Sequence, residues 1–439
     1  MSAFHFLFLC LLFLTPISNA STTATARQPR PNALVIPVKK DAKTLQYVAT
    51  IKMRTPLAPV NVFVDLSGPF LWVDCEDGYV SSSYRPTPCG SPKCEVAKSS
   101  GCIVECHSAP RPGCTNNTCD VVLDNPFIKD FLYGGGLAED VIALQSSGGR
   151  KPGGGLAVVR QFPFACADTR NLQGLAVGVK GMLGLARTPV SLPSQLASKS
   201  GLPHIFSLCL PSSTTSNGVM IFGNKHYVSL PDKIDYSKLL TYTPLIINPV
   251  STAPSFRVGD SSYEYFIQVK SINVHGKRLP INRKLLSINK DGFGGTKIST
   301  RTPYTSLHTS IYEALAEAYS NAAASMNISR VEPPLGDFPA CFSSKNIEHT
   351  ATGPRVPAVD LVFEDNNVWR ISGSDLMVQA EDGVMCLAFG DEGENARTSI
   401  VIGGRQLEEK LVVFDVASSK LGFSNSLVGG GTNCANFNL

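Results

Sequence analysis

Short stretches that alternate between apolar and polar residues dominate the chain. Residues 47–53, 265–272 and 411–416 each show this alternation. It predicts β-strands, because successive side chains of a strand face opposite sides of a sheet. Many glycines (37) and prolines (30) supply turns between such strands. The pattern predicts a mostly β protein.

Helical periodicity is rare. The clearest helix is predicted to begin at Ser310, with Glu313 three residues later completing a capping box. Its inward face is predicted from apolar residues at helical spacing, which are Ile311, Leu315, Ala318 and Ala322. A shorter helix is predicted over residues 193–198.

Two segments of the chain, residues 63–73 and residues 297–307, share one internal pattern. In both, a proline precedes an aromatic residue, and the alignment sets Asp65 opposite Ser299. About a hundred residues later, each segment is followed by two apolar residues and a glycine, at 182–184 and 401–403. Such a recurrence indicates a two-fold internal repeat.

Length and composition favour two sizeable lobes. The chain has 439 residues, of which 43% are hydrophobic and 17% charged. Residues 1–20 read as a secretion signal, because an apolar run precedes small residues at 18 and 20. No later run is long enough to cross a bilayer, so a soluble extracellular protein without a membrane anchor is expected.

Cysteine usage agrees with secretion. Twelve of the 13 cysteines lie beyond the signal, which predicts six disulfides. They are Cys75, Cys89, Cys94, Cys102, Cys106, Cys114, Cys119, Cys166, Cys209, Cys341, Cys386 and Cys434. Pairing within residues 89–119 stays open, and the spacings there do not favour zinc. No metal and no cofactor are predicted.

Surface chemistry adds two further expectations. Asn116 and Asn327 begin glycosylation sequons. The net charge of +4 is mild, and no basic stripe is interleaved with aromatic residues. Binding of nucleic acid is therefore not expected, whereas a loose association with an acidic cell wall is.

Taken in order, these motifs resemble the pepsin-like aspartic peptidases over nearly all of the chain. Tyr133-Gly-Gly-Gly resembles the flap of that family, and residues 184–196, 401–406 and 420–424 resemble segments of its plant members. The resemblance implies a bilobal, disulfide-rich, all-β fold with a few short helices. One lobe would span residues 21–248, with a cysteine-rich insert at 75–119, and the other residues 249–439.

Peptidase activity is not expected. Such enzymes need two facing carboxyls that share one proton. The first loop keeps Asp65, but the second offers Ser299, whose hydroxyl cannot hold that proton as a carboxyl does. Arg301, if it points inward, would also keep Asp65 ionised. Asp65 is therefore read as a structural residue that accepts loop hydrogen bonds, and Tyr133 as a packed flap residue.

Within this group, the chain resembles plant inhibitors of xyloglucan-specific endoglucanases and xylanases, with legume basic globulins as kin. The cysteine block, Asp65-Leu-Ser-Gly, Ser299 and residues 397–404 and 433–438 carry this likeness. It implies the disulfides Cys341–Cys386 and Cys209–Cys434. It also implies a microbial glycoside hydrolase as partner in plant defence.

An arginine suits the carboxylate-lined cleft of such an enzyme. The candidates are Arg397, which follows the acidic loop 390–396, and the alternatives Arg257 and Arg330. A storage or peptide-hormone-binding globulin is the alternative function. A weak aspartic peptidase is the third.

Overall fold

The computed structural model describes residues 32–129, 133–147, 155–253, 258–332, 336, 338 and 340–437. The predicted signal at residues 1–20 lies outside the described residues. Within the described part, no helix is long and apolar enough to pass through a membrane.

Strands far outnumber helices in the described chain, so the predicted mostly β fold is confirmed. The strands before residue 249 are Ala33–Lys40 (β1), Tyr47–Met53 (β2), Ala58–Asp65 (β3), Leu71–Asp74 (β4), Arg85–Pro86 (β5), Gly101–Ile103 (β6), Thr118–Leu123 (β7), Tyr133–Ser147 (β8), Leu156–Ala167 (β9), Gly181–Gly184 (β10), Ile205–Cys209 (β11), Gly218–Phe222 (β12), Val228–Ser229 (β13), Ile234–Asp235 (β14) and Thr241–Ile246 (β15).

The strands of the second half are also short. They are Tyr265–Ile267 (β16), Val269–Val274 (β17), Lys277–Arg278 (β18), Thr296–Ile298 (β19), Thr305–His308 (β20), Arg330–Val331 (β21), Cys341–Ser343 (β22), His349–Thr350 (β23), Gly353–Pro354 (β24), Val359–Phe363 (β25), Val368–Ile371 (β26), Met377–Glu381 (β27), Val384–Leu387 (β28), Phe389–Gly393 (β29), Ile400–Ile402 (β30), Leu411–Asp415 (β31) and Lys420–Phe423 (β32).

Helices are few and mostly short in the described part. The α-helices are Pro92–Val96 (α1), Leu192–Ser200 (α2), Thr309–Ser325 (α3) and Gly404–Leu407 (α4). Single turns of 3-10 helix are Thr169–Leu172, Tyr236–Lys238, Arg283–Leu286, Ser344–Asn346, Gly373–Asp375, Val428–Gly430 and Cys434–Asn436.

The long helix α3 differs in detail from the prediction. It begins at Thr309, and the side chain of His308 accepts the capping hydrogen bond from the Ser310 backbone. The predicted capping box at Ser310 is therefore wrong. The buried face contains Ile311 and Leu315 as predicted, but continues through Tyr319 and Ala323, because the larger tyrosine ring fills the core. The second predicted helix exists as α2, longer by one residue at its start and two at its end.

Each half contains the same crossing motif. In the first half, β10 runs parallel to β3 and antiparallel to β4. In the second half, β30 runs parallel to β19 and antiparallel to β20. The glycine that ends or follows each crossing strand is required by close contact. A Cβ on Gly184 would lie 2.4 Å from the Phe70 carbonyl oxygen, and one on Gly403 would lie 2.2 Å from that of Tyr304.

Strands of the two halves also share hydrogen bonds. β11 pairs with β31, and β15 pairs with β32, both antiparallel. Phe206 of β11 stacks on Phe414 of β31, with ring centroids 4.7 Å apart. This shared sheet fixes the two crossing motifs relative to one another. The division at residues 248 and 249 stays a prediction.

Six disulfides staple the fold. Cys341–Cys386 and Cys209–Cys434 are the pairs that the resemblance implied. Within the insert and beside it, the pairs left open by the sequence are Cys75–Cys166, Cys89–Cys102, Cys94–Cys119 and Cys106–Cys114. The Cys94–Cys119 disulfide therefore ties the insert to β7, which pairs with the flap motif at the start of β8, and we call β7 the flap strand. The Cys75–Cys166 disulfide ties β9 to the residue that follows β4.

Candidate functional site

The two repeated loops meet at the centre of the molecule. Asp65 ends β3, and Ser299 follows β19, so the parallel crossing strands bring both residues to the same depth. Both are buried, at 1% and 2% exposure. The Ser67 backbone donates to the Asp65 carboxylate at 3.0 Å, and the Arg301 backbone donates to the Ser299 hydroxyl at 3.1 Å. Each loop thus holds its own polar side chain.

Thr300 joins the loops across the repeat. Its hydroxyl donates to the Val64 carbonyl at 2.6 Å and accepts from the Leu66 backbone at 3.1 Å. The equivalent position in the first loop is Leu66, which has no hydroxyl with which to reciprocate. The tie between the loops therefore runs in one direction.

Arg301 points inward and occupies the space beside Asp65. Its Nε and Nη2 donate to the two carboxylate oxygens of Asp65 at 2.9 and 2.8 Å. The same Nη2 lies 2.7 Å from an Asp124 carboxylate oxygen, at the end of the flap strand β7. The arginine consequently links the first loop, the second loop and the flap.

Electrostatics in this cluster favour a permanent cation. Burial opposes the charged form of Arg301, yet Asp65 and Asp124 together raise the pKa of its guanidinium well above the ordinary value. Burial also raises the pKa of Asp65, and the contact with Arg301 opposes that rise without cancelling it. Arg301 therefore favours the ionised form of Asp65, as predicted, but burial raises the pKa of Asp65 by more than Arg301 lowers it.

A second buried carboxylate lies beside the second loop. Glu264 is 4% exposed, and Lys297 of β19 donates to both its oxygens at 3.0 and 3.2 Å. Burial raises the pKa of Glu264, but Lys297 and a hydrogen bond from Thr252 together lower it by more than burial raises it. The pKa of Glu264 therefore lies below its ordinary value. Glu264 is thus a paired anion and cannot share a proton with Asp65 as a catalytic dyad would.

The flap residue Tyr133 is half-buried. It opens β8 opposite Leu123 of β7. The Arg170 guanidinium lies 5.5 Å from the centre of its ring. The flap residue that reaches the central cluster is Asp124, which sequence reasoning missed because no periodicity or motif marks it.

The three arginine candidates lie in different places. The Arg397 guanidinium donates to the Ser251 carbonyl at 2.7 Å and lies 5.8 Å from the centre of the Phe293 ring. Arg330 pairs with Glu332 and donates to Ser320 at 3.1 Å. Arg257 lies outside the described residues.

The acidic loop before Arg397 does not hold it. Asp391 accepts hydrogen bonds from Thr309 at 2.8 Å and from the Gly393 backbone at 2.9 Å. Within the described part of the chain, no carboxylate lies within 4.0 Å of the Arg397 guanidinium. A backbone carbonyl therefore orients this arginine, and its charge stays uncompensated.

The remaining predicted sites are on the surface. Asn116 and Asn327 are both exposed. The Asn116 side-chain oxygen accepts from the Cys106 backbone at 2.7 Å. No group of His, Cys, Asp and Glu residues suited to a metal occurs among the described residues.

Comparison with known proteins gives consistent matches across both halves. Residues 47–224 match the model of the xylanase inhibitor N-terminal domain, and residues 264–425 match that of the C-terminal domain. The chain is 48% identical over 437 residues to "Probable aspartic proteinase GIP2" of Nicotiana benthamiana, covering 99% of this chain and 98% of that protein.

Two solved structures are similar over nearly the whole chain. The crystal structure titled for edgp is 52% identical with a TM-score of 0.90, covering 94% of this chain and 99% of that one. The crystal structure of conglutin gamma, a basic 7S globulin from lupine seeds, is 39% identical with a TM-score of 0.78, covering 93% and 99%.

Proposed function

The chain belongs to the pepsin-like xylanase inhibitor family, and on that premise we propose that it is a secreted inhibitor of microbial glycoside hydrolases. Its partner is a xyloglucan-specific endoglucanase or a xylanase, and it acts in plant defence in the extracellular space of the cell wall. Six disulfides and two exposed glycosylation sequons support an extracellular location.

The observation that carries this proposal is the bidentate contact between Arg301 and Asp65. A pepsin-like enzyme needs a water molecule between two carboxyls. Here the Arg301 guanidinium donates to both carboxylate oxygens of Asp65, and Ser299 aligns with the position of the second carboxyl. Because the centre cannot activate water in this way, function moves to the surface loops.

Arg397 is the arginine best suited to meet an enzyme cleft. The pair of carboxylates in a glycoside hydrolase would offer charge-assisted hydrogen bonds in exchange for the single carbonyl of Ser251. Phe293 beside it is 46% exposed and supplies an apolar contact. Arg330 already pairs with a carboxylate, so it is the weaker candidate.

The test is a titration of the purified protein against fungal xyloglucanases and xylanases, with an acid protease assay on a denatured protein alongside. We expect stoichiometric inhibition of one enzyme, no proteolysis, and about 30-fold weaker inhibition by Arg397→Ala, the factor that corresponds to a hot-spot loss of about 2 kcal/mol. The matched control is Arg355→Ala, because Arg355 is an exposed arginine of the same half, already paired with Glu348.

Three other outcomes would redirect the proposal. Inhibition that Arg397→Ala does not weaken would keep the function and move the site to another loop, with Arg330→Ala tested next. Absence of inhibition together with binding of a peptide hormone would favour the globulin function, which the likeness to conglutin gamma supports. Acid proteolysis that Asp65→Asn abolishes would instead favour a weak aspartic peptidase. The relative from Nicotiana benthamiana is named as a probable aspartic proteinase.

A further inference from the structure

A cavity of about 320 Å³ lies beside the Asp65 loop, between the flap and the second half of the chain. Phe70 follows the first loop and lines it, together with Val121 of β7 and Val190. Ile247 and Tyr263 line it from the second half. The volume is at the lower end of the range for small-molecule sites, and most of the walls are apolar.

Three charged side chains line this cavity besides these apolar residues, and two of them are neutralised. Asp124 forms its ion pair with Arg301 at 2.7 Å. Lys98, two residues after α1 within the cysteine-rich insert, forms an ion pair with Asp260 at 2.8 Å. Neither therefore offers a free charge to a ligand.

Arg187 is the third charged residue, and it differs. Its Nη2 donates to the carbonyls of Ile246 at 3.1 Å and Glu264 at 2.5 Å, and its guanidinium carbon lies 5.6 Å from the centre of the Tyr265 ring. Among the described residues, no carboxylate lies within 4.0 Å of it, and its Nε and Nη1 find no hydrogen-bond acceptor. Arg187 is therefore the one charged residue of the cavity lining, among the described residues, that has no ion-pair partner within 4.0 Å.

We propose that this cavity binds a small organic monocarboxylate with an aromatic or aliphatic body. The carboxylate would accept from the unused N–H groups of Arg187, which suit a planar, two-oxygen acceptor. The body would pack among Phe70, Val121, Val190 and Ile247. Such a ligand would place a carboxylate in direct contact with Arg187, which no described carboxylate of the protein does. This site is independent of glycoside hydrolase inhibition.

The opening of the cavity offers a way to test it. Val96 and Ile247 line the cavity yet are 47% and 61% exposed, so they lie at its opening to solvent. A larger side chain at Val96 would obstruct the opening without entering the core. Val104 belongs to the same insert, is 80% exposed and does not line the cavity, so it provides the matched position.

The experiment is calorimetric titration of the full mature chain with 3-phenylpropanoate, and separately with its uncharged amide, at neutral pH. We expect the acid to bind at least about tenfold tighter than the amide, because only the acid pairs with Arg187. Arg187→Gln should bring the acid to the level of the amide. Val96→Trp should abolish binding of both, and Val104→Trp should change neither.

Three results would overturn the proposal. They are no binding of 3-phenylpropanoate at millimolar concentration, equal binding of acid and amide, and unchanged binding in Val96→Trp. Arg187 also ties two backbone carbonyls, so Arg187→Gln could fail to fold. The comparison of acid with amide on the parent protein, and the Val96→Trp variant, decide the question without it.

Discussion

The two repeated loops have the same backbone frame but opposite chemistry. In each half, a crossing strand pairs in parallel with the strand that precedes the loop. A glycine at the end of the crossing strand, or directly after it, allows close contact with the backbone that follows the loop. The first loop contributes a buried carboxylate and a leucine. The second contributes a hydroxyl tie and a guanidinium that both reach across to the first. The same backbone pairing can therefore carry different side chains at the centre of the two loops.

Among the substitutions that test this comparison, Arg301→Ala is expected to have the largest effect on stability. The variant leaves the 1% exposed Asp65 without its cation, and breaking a buried pair costs about 3–5 kcal/mol in the free energy of unfolding. Denaturant unfolding measures it. The double variant Arg301→Ala with Asp65→Leu should recover most of the loss, because apolar replacement of a buried pair is close to neutral. A single-variant cost below about 1 kcal/mol, the value of a surface pair, would contradict a cohesive role.

Thr300→Val tests the one-directional tie. The substitution keeps the shape but leaves the Val64 carbonyl and the Leu66 amide without their partner, at a cost of about 1–3 kcal/mol. Its control is Thr302→Val in the same loop, because the Thr302 hydroxyl has no partner in the described part of the structure. Equal effects of the two substitutions in denaturant unfolding would show that the tie contributes nothing.

The two buried carboxyls, Asp65 and Glu264, predict opposite pH dependences. The pKa of Glu264 is lowered on folding, so its stabilising contribution is present above its unfolded pKa and is lost as pH falls through the folded value. The pKa of Asp65 is raised, so folding favours its protonated form, and the penalty of its ionisation grows as pH rises through the folded value.

Unfolding of the parent, Glu264→Gln and Asp65→Asn between about pH 3 and 6, the range around ordinary carboxyl pKa values, separates these contributions. Relative to the parent, Glu264→Gln should gain less stability as pH rises, and Asp65→Asn should gain more. Slopes that change in the same direction for both variants would contradict the opposite shifts.

Lys98→Ala is expected to have the smallest effect. Its ion pair with Asp260 also joins the first half to the second, but its side chain is 50% exposed and screened by water. We expect less than about 1 kcal/mol, falling further in high salt. If Lys98→Ala lowered the free energy of unfolding as much as Arg301→Ala does, burial would not explain the strength of the ion pair between Arg301 and Asp65.

Part of the central cluster could be predicted from the sequence, because each loop lies within a short segment whose pattern recurs in the chain. The alignment of residues 63–73 with 297–307 identified Asp65, Ser299 and Arg301 as neighbours. It could not identify Asp124, which no pattern marks and which only the flap brings to Arg301. The capping residue of α3 was also missed, since a histidine side chain replaced the expected serine.

Sequence alone determined the strand pattern, the two-fold repeat, the number of disulfides and the serine that aligns with Asp65. These depend on residue identity, and on periods of two or of a whole repeat. Only the tertiary structure decided the four pairings around the insert, the tie of Arg397 to Ser251 and the cavity at Arg187. The contact of Arg397 with Ser251 and the cavity at Arg187 join segments far apart in the chain, and the insert disulfides depend on how its loops fold, so none of them follows from local periodicity.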